Sequence, residues 1–377
     1  MPKTRVLQAA LALAVVLPLV TAPAAWAEVR ITELPGLPDH PTHRTVGVND
    51  LGQVIGAAYG NGPVRGVHWT PGGAAVDLGA GNPRAINQRG QVLVVEAKSS
   101  VGPYVNRPRI WRAGEVVDIT PPGSGWVGAE VINDSGQVPM TYSTSSSGYH
   151  QERAAVWRGD EHEALPLSEP HLFIDAINDA GVVVGSKLPM FAGDRYAFRC
   201  EGVTCTRLAT TPGTGPYELS AINEAGVVVG NKDGLALRWE GDSVTVLSPD
   251  GRVARGPQAI NERGDVVGVT TDASGVRRAT LWPGGGKPVV LGVPGPAEAV
   301  AVNDRGDVLG WSSADDPDAA RAFLWRDGKH VWLGSLGGAH SLPVALNNRG
   351  AAVGESTTAD GTIKAVKWTV VDERPLR

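Results

Sequence analysis

The stretch "AVNDRGDVLGWSS", residues 301–313, decides how the chain is read. It is an apolar strand, a polar turn and a second apolar strand. Asn303 suits the turn because its side chain can bond its own backbone two residues on, and Gly306 suits it because glycine accepts positive φ. The chain then says the same thing seven more times. "GVNDLGQVIG" begins at Gly47, "AINDAGVVVG" at Ala176, "AINEAGVVVG" at Ala221 and "AINERGDVVG" at Ala259. Looser copies begin at Ala85, Val131 and Ala345. The repeated residue is Asn49, Asn87, Asn133, Asn178, Asn223, Asn261, Asn303 and Asn347, at intervals of 38, 46, 45, 45, 38, 42 and 44. A catalytic motif is needed once; a motif used eight times builds architecture.

One unit, residues 297–336, reads strand by strand. "EAVAVN" is a first strand and "DVLGWSS" a second; the loop "ADDPDAA" leads to "RAFLW", and "RDG" turns it tightly into "KHVWLG". Four antiparallel strands in about 42 residues is one blade of a β-propeller. Near the end of the third strand stands a Trp: Trp69, Trp111, Trp157, Trp239, Trp282, Trp325 and Trp368. These are expected to pack between blades. The fourth unit has Cys200 in that place, with Cys205 opposite across the hairpin, so a disulfide is expected there as a blade staple. Two residues before each Asn the side chain is small, Gly47 or Ala, with Val131 the exception, which suits strands crowded around an axis. Four before each Trp is a basic residue, Arg65, Arg107, Arg153, Arg278, Arg321 or Lys364, broken only by Leu235. A structural role is favoured, bonding loop carbonyls or acids of the neighbouring blade; a ring collecting a polyanion is the alternative.

The last unit has three strands but no clear fourth. Residues 29–34 look like the missing one and are expected to pair near residues 364–368, closing a ring of eight blades and covering two edges that would invite aggregation. The fold expected is therefore all-β: an eight-bladed β-propeller of four-stranded blades, closed by the N-terminal strand, over residues 28–371, with 372–377 as a tail.

Composition agrees. Gly 49 and Pro 28 are high and helical periodicity is almost absent. Residues 1–27 read as a secretory signal peptide: Lys3 and Arg5, an apolar run, then Ala25-Trp26-Ala27 before the cut. The run is short for a membrane anchor, and no later segment could span a bilayer. Without Lys3 and Arg5 the charge is 34 − 2 − 39, or −7. With no basic block, nucleic acid is a poor partner. A secreted, monomeric protein is expected.

The "INDxGxVVG" turn, the "RAFLW" strand and the "LGSLGG" segment from Leu333 together resemble the HAF-repeat family of bacterial extracellular proteins, over about residues 29–371. The resemblance implies secretion and a repeated β fold but no activity. The family's His-Ala-Phe triplet is here Arg321-Ala322-Phe323 at best, so any role of that His is not carried over.

Motifs of chemistry are sparse. There is no GxSxG elbow, Walker loop or dinucleotide fingerprint. His40 and His43 lie close together in a Pro-rich loop, and Asp315, Asp316 and Asp318 share another, but neither has metal-site spacing. No cofactor is expected. What stands out is an aromatic bias in the loops that open on one face of a propeller. Tyr104, Trp126, Tyr142, Tyr149, His171, Phe173, Phe191 and Tyr217 fall there or at the edges, as does Tyr59. Exposed aromatics with Ser, Asn and Gly build carbohydrate- and peptide-binding surfaces. The function expected is binding or scaffolding towards extracellular glycan or protein. The alternative is a polysaccharide hydrolase or lyase in the funnel, which carboxylates of raised pKa would favour.

Overall fold

A computed structural model describes residues 28–98, 105–144, 152–168, 171–188, 194–284, 286–313 and 319–371. The signal-peptide reading and the 372–377 tail lie outside them. The described chain forms eight four-stranded antiparallel sheets. Blades 1 to 7 take residues 42–80, 82–118, 127–168, 172–207, 218–248, 251–290 and 297–332, each in the order of the chain from axis to rim. Blade 8 takes Gly337–Leu346, Ala351–Thr358 and Ile363–Val371, with the N-terminal strand Glu28–Glu33 as its outermost member. Ile31 pairs with Trp368 and Glu33 with Val366, so the ring closes as the repeat alignment predicts. Among the described residues no helix is long and apolar enough to cross a membrane.

Each repeated Asn builds one turn and joins two blades. Its backbone N–H bonds the carbonyl four residues on, and the turn Gly donates back to its carbonyl; the eight turn glycines have φ from 74° to 85°, the region that favours Gly. The buried side chain then reaches sideways. Nδ2 of Asn49 donates to the carbonyl of Asn87 at 3.0 Å, Asn87 to Asn133, Asn133 to Asn178, and so around to Asn347, which donates to Asn49 at 3.0 Å. A second belt runs beside it. The amide of Asp50 donates to the Gln88 side chain, Gln88 to Asp134, Asp134 to Asp179, then Glu224, Glu262, Asp304, Asn348 and back to Asp50. Two closed circles of eight hydrogen bonds therefore surround the axis where the inner strands end.

The "VVG" of the motif has its own reason. Gly56 and Gly354 lie under the Trp69 and Trp368 rings, where a Cβ would come within 2.7 Å of ring carbon. In blades 4 and 7 a Phe two residues earlier does this work: Phe198 covers Gly185 and Phe323 covers Gly310. Hence the fourth blade needs no Trp, and Cys200 is free to pair with Cys205 in register across the hairpin, as a disulfide. Hence also Trp325 is only half-buried while Phe323 is fully buried. Trp325 still packs, half-buried, against the apolar cluster shared by blades 6 and 7, as expected of the Trp set.

Candidate functional site

The inner strands enclose an axial channel of about 800 Å³. One feature of the ladder decides what faces it. In blades 1, 2, 4, 5, 7 and 8 the pairing of first and second strands skips one residue, a β-bulge, and it is always the residue three before the Asn: Val46, Arg84, Asp175, Ser220, Val300 and Val344. A bulge leaves its extra residue unpaired and re-aims it; here all six line the channel. Glu130 and Gln258 hold the same place in blades 3 and 6, whose inner strands are short, Val127–Gly128 and Gly251–Val253. In blade 6 the 3-10 turn Pro257–Ala259 replaces the rest of the strand. From it the Gln258 side chain reaches past blade 7 to the Leu346 backbone, accepting from its N–H at 2.9 Å and donating to its carbonyl.

The ring at this level is lopsided. Blades 7, 8 and 1 present Val300, Val344 and Val46; blades 2 to 6 present Arg84, Glu130, Asp175, Ser220 and Gln258. Arg84 stands 3.4 Å from Glu130. Glu218, two residues before Ser220, holds Arg252 at 2.7 Å and Arg255 at 3.5 Å. Burial raises the Glu130 carboxyl, with Arg84 opposing. Burial pushes Asp175 up to about 7, against a bond from Ser186 and with help from the Glu218 charge. At the Asn end, burial and neighbouring carboxylates raise Asp134 and Glu262, although each also accepts a backbone N–H. A surface cleft of about 960 Å³ between blades 5, 6 and 7 adjoins the channel at Arg255 and carries Arg252, Arg277 and Glu298.

Of the aromatic residues named from the sequence, Tyr104, Tyr149 and Phe191 lie outside the described residues. Phe173 lines the channel and is 42% exposed. Tyr217 also borders the channel but is buried, its hydroxyl accepting from Lys232 and from the Thr211 amide; it is a core residue, not an exposed platform. Tyr142 sits on the strand Val138–Ser143 rather than in a loop, half-buried against the blade 3 core. Trp126 is half-buried with its ring over Gly128. His171 is half-buried, at φ 61°, its carbonyl accepting from Leu188.

His40 and His43 are buried structural groups, His43 Nε2 lying 2.7 Å from the Leu34 carbonyl. Among the described residues no three His, Cys, Asp or Glu side chains gather as a metal site. Of the basic residues before each Trp, Arg65 pairs with Asp77, Arg278 with Asp272 and Lys364 with Glu33, each within its own blade, while Arg278 also donates to the Gly295 carbonyl in the loop leading to blade 7, a loop-carbonyl bond of the kind expected. The neighbouring-blade acids expected from the sequence are not their partners in these three cases. What sequence reasoning missed is the channel ring. Its signal was present as a variable position within the repeat, three residues before each Asn.

No protein-family model matches the chain, and no curated protein does. Solved structures do. The β-propeller domain of the Trilobed protease from Pyrococcus furiosus aligns at 11% identity and TM-score 0.51, over 78% of this chain and 98% of that one. Porphyromonas gingivalis dipeptidyl peptidase 4 aligns at 11% and 0.55, over 88% of this chain and 58% of that one. Pyrococcus horikoshii acylaminoacyl peptidase aligns at 12% and 0.50, over 79% and 53%. The chain thus spans little more than half of the two peptidases, and the likeness is one of fold.

Proposed function

We propose that this propeller is a secreted binding protein, HAF-like in its repeats, that receives an extracellular glycan or protein segment at its axial channel. One observation carries the reading. Eight near-equivalent blades impose near-equivalent structural demands, and where the backbone sets them the motif keeps one answer: the same Asn, the same turn Gly, and Gly, Ala or Val two before the Asn. Yet the position three before the Asn, which lines the channel in all eight blades and is bulged in six, is Val, Arg, Glu, Asp, Ser, Gln, Val and Val in turn. Packing does not ask for that variety, whereas a ligand that is polar on one side and apolar on the other does. The test is a screen of glycan arrays and cell-wall fractions, repeated with Val344→Arg. Val344 is 37% exposed, so Arg fills the channel without entering the core. Loss of binding at unchanged melting temperature is expected; binding that survives the substitution sinks the channel as the site.

A second reading, a hydrolase or lyase acting on polysaccharide in the channel, is favoured by Asp175, which burial poises near neutrality as an acid or base. Release of reducing ends or unsaturated products from cell-wall polysaccharide, abolished by Asp175→Asn, would establish it.

A further inference from the structure

The channel carboxylates are not equivalent. Glu130 has Arg84, and Glu218 has Arg252 and Arg255. Among the described residues Asp175 has no cation paired with it. It accepts a hydrogen bond from Ser186 Oγ at Oδ2, 3.1 Å, and among the described residues none at Oδ1. As the extra residue between Ile174 and Ala176 it is turned out of the ladder and into the cavity. Two residues earlier on the same strand, Phe173 offers an exposed ring to the same cavity. Resting on the channel reading above, we propose that the channel selects a ligand carrying a primary ammonium group, which pairs with Asp175 while the Phe173 ring packs beside it.

The chemistry is complementary on each side. A carboxylate drawn out of water is costly until a charged donor reaches it. An aromatic ring attracts a cation to its face. An anionic group is disfavoured beside Asp175, because the cations of the channel wall, Arg84 and Arg255, are already paired with Glu130 and Glu218. The charged groups around Asp175 are Glu218, the Arg84–Glu130 pair, Arg255, and Lys187 on the neighbouring strand, whose ammonium lies 5.6 Å from the Tyr196 ring centre. With Asp175 titrating at about 7, capture of an ammonium near neutrality displaces a proton. An amino sugar and a peptide amine offer the same group.

Calorimetry on the full chain separates these sources. The probes are a glucosamine hexamer and its fully N-acetylated counterpart, and Gly-Gly-Lys with its amines free or acetylated. A free-amine probe is expected to bind at least about tenfold more tightly than its acetylated form, with a heat that depends on the buffer because a proton is released. Preference for the hexamer assigns an amino sugar; preference for the tripeptide assigns a peptide amine. Asp175→Asn is expected to erase the preference at unchanged melting temperature, and Phe173→Ala to weaken it. Equal affinity for free and acetylated probes, or no binding of either amine, overturns the ammonium assignment. The channel site is judged separately, by Val344→Arg against the ligand found on the array.

Discussion

Asn223→Ala tests the belts. Asn223 is buried; its Oδ1 accepts from the Val227 amide at 2.9 Å and its Nδ2 donates to the Asn261 carbonyl at 3.2 Å. Alanine leaves the buried Val227 N–H without an acceptor, which costs about 1–3 kcal/mol. The Asn261 carbonyl is better off, because it keeps the bond from Gly264, so its loss is nearer the net value of one hydrogen bond, about 1 kcal/mol. The sum is about 2–4 kcal/mol, read from urea unfolding followed by Trp fluorescence. Asn223→Asp sharpens the test. It keeps the Val227 acceptor but sets a carboxylate against a carbonyl oxygen, beside Glu224 and Glu262. That raises its folded-state pKa above the unfolded value, so the native state binds the proton first. The deficit relative to the parent should therefore shrink as the pH falls from about 7.5 to 5.5. An alanine loss under about 0.5 kcal/mol, or an aspartate deficit that acid leaves untouched, would refute the account of the belts.

Three further outcomes are expected. Trp239, buried with Nε1 donating to the Ala209 carbonyl at 2.8 Å, should cost about 3–5 kcal/mol on truncation to Ala, whereas half-buried Trp325 should cost clearly less; equal losses in urea titrations would undo the distinction. Reducing the Cys200–Cys205 bond, which closes a five-residue separation, should remove about 2 kcal/mol, and two freely alkylated thiols before reduction would show that the bond is not formed. His68 is buried, neither ring nitrogen has a hydrogen-bond partner among the described residues, and burial lowers its pKa. Below the unfolded-state value of about 6.5 the unfolded chain therefore binds a proton that the native state resists, and stability falls with pH. His68→Phe should flatten that fall between about pH 7 and 5, and an unchanged slope would show that His68 does not contribute to it.

Legibility followed the range of the interactions. Turns, hairpins and blade count could be read because each depends on neighbours in sequence, and ring closure because residues 29–34 are a strand without a blade. The acid or amide after each Asn was visible in the letters, but its purpose was not, since seven of the links span 38 to 46 positions and the closing one 298. The bulge was invisible: one extra residue in a ladder changes pairing without changing composition. Phe173 was chosen as a loop aromatic and lies on a strand facing the channel, while Tyr217, chosen on the same ground, is held in the core by a buried lysine that no local pattern announces.

The belts also bear on how the molecule can be made and cut. A stacked solenoid tolerates loss of a terminal unit, because each unit contacts only its neighbours. Here Asn347 donates to Asn49 across 298 positions, and the outermost strand of blade 8 comes from the opposite end of the chain. Early blades can assemble from local contacts, but the last links of both circles form only when residues 347–371 meet 28–50. Such high contact order predicts a slow final step, during which the edges of blades 1 and 8 stand unpaired. A fragment stopping short of blade 8 should therefore remain aggregation-prone, whereas a circular permutant opened in an outer loop of blade 4 would keep every link of both circles.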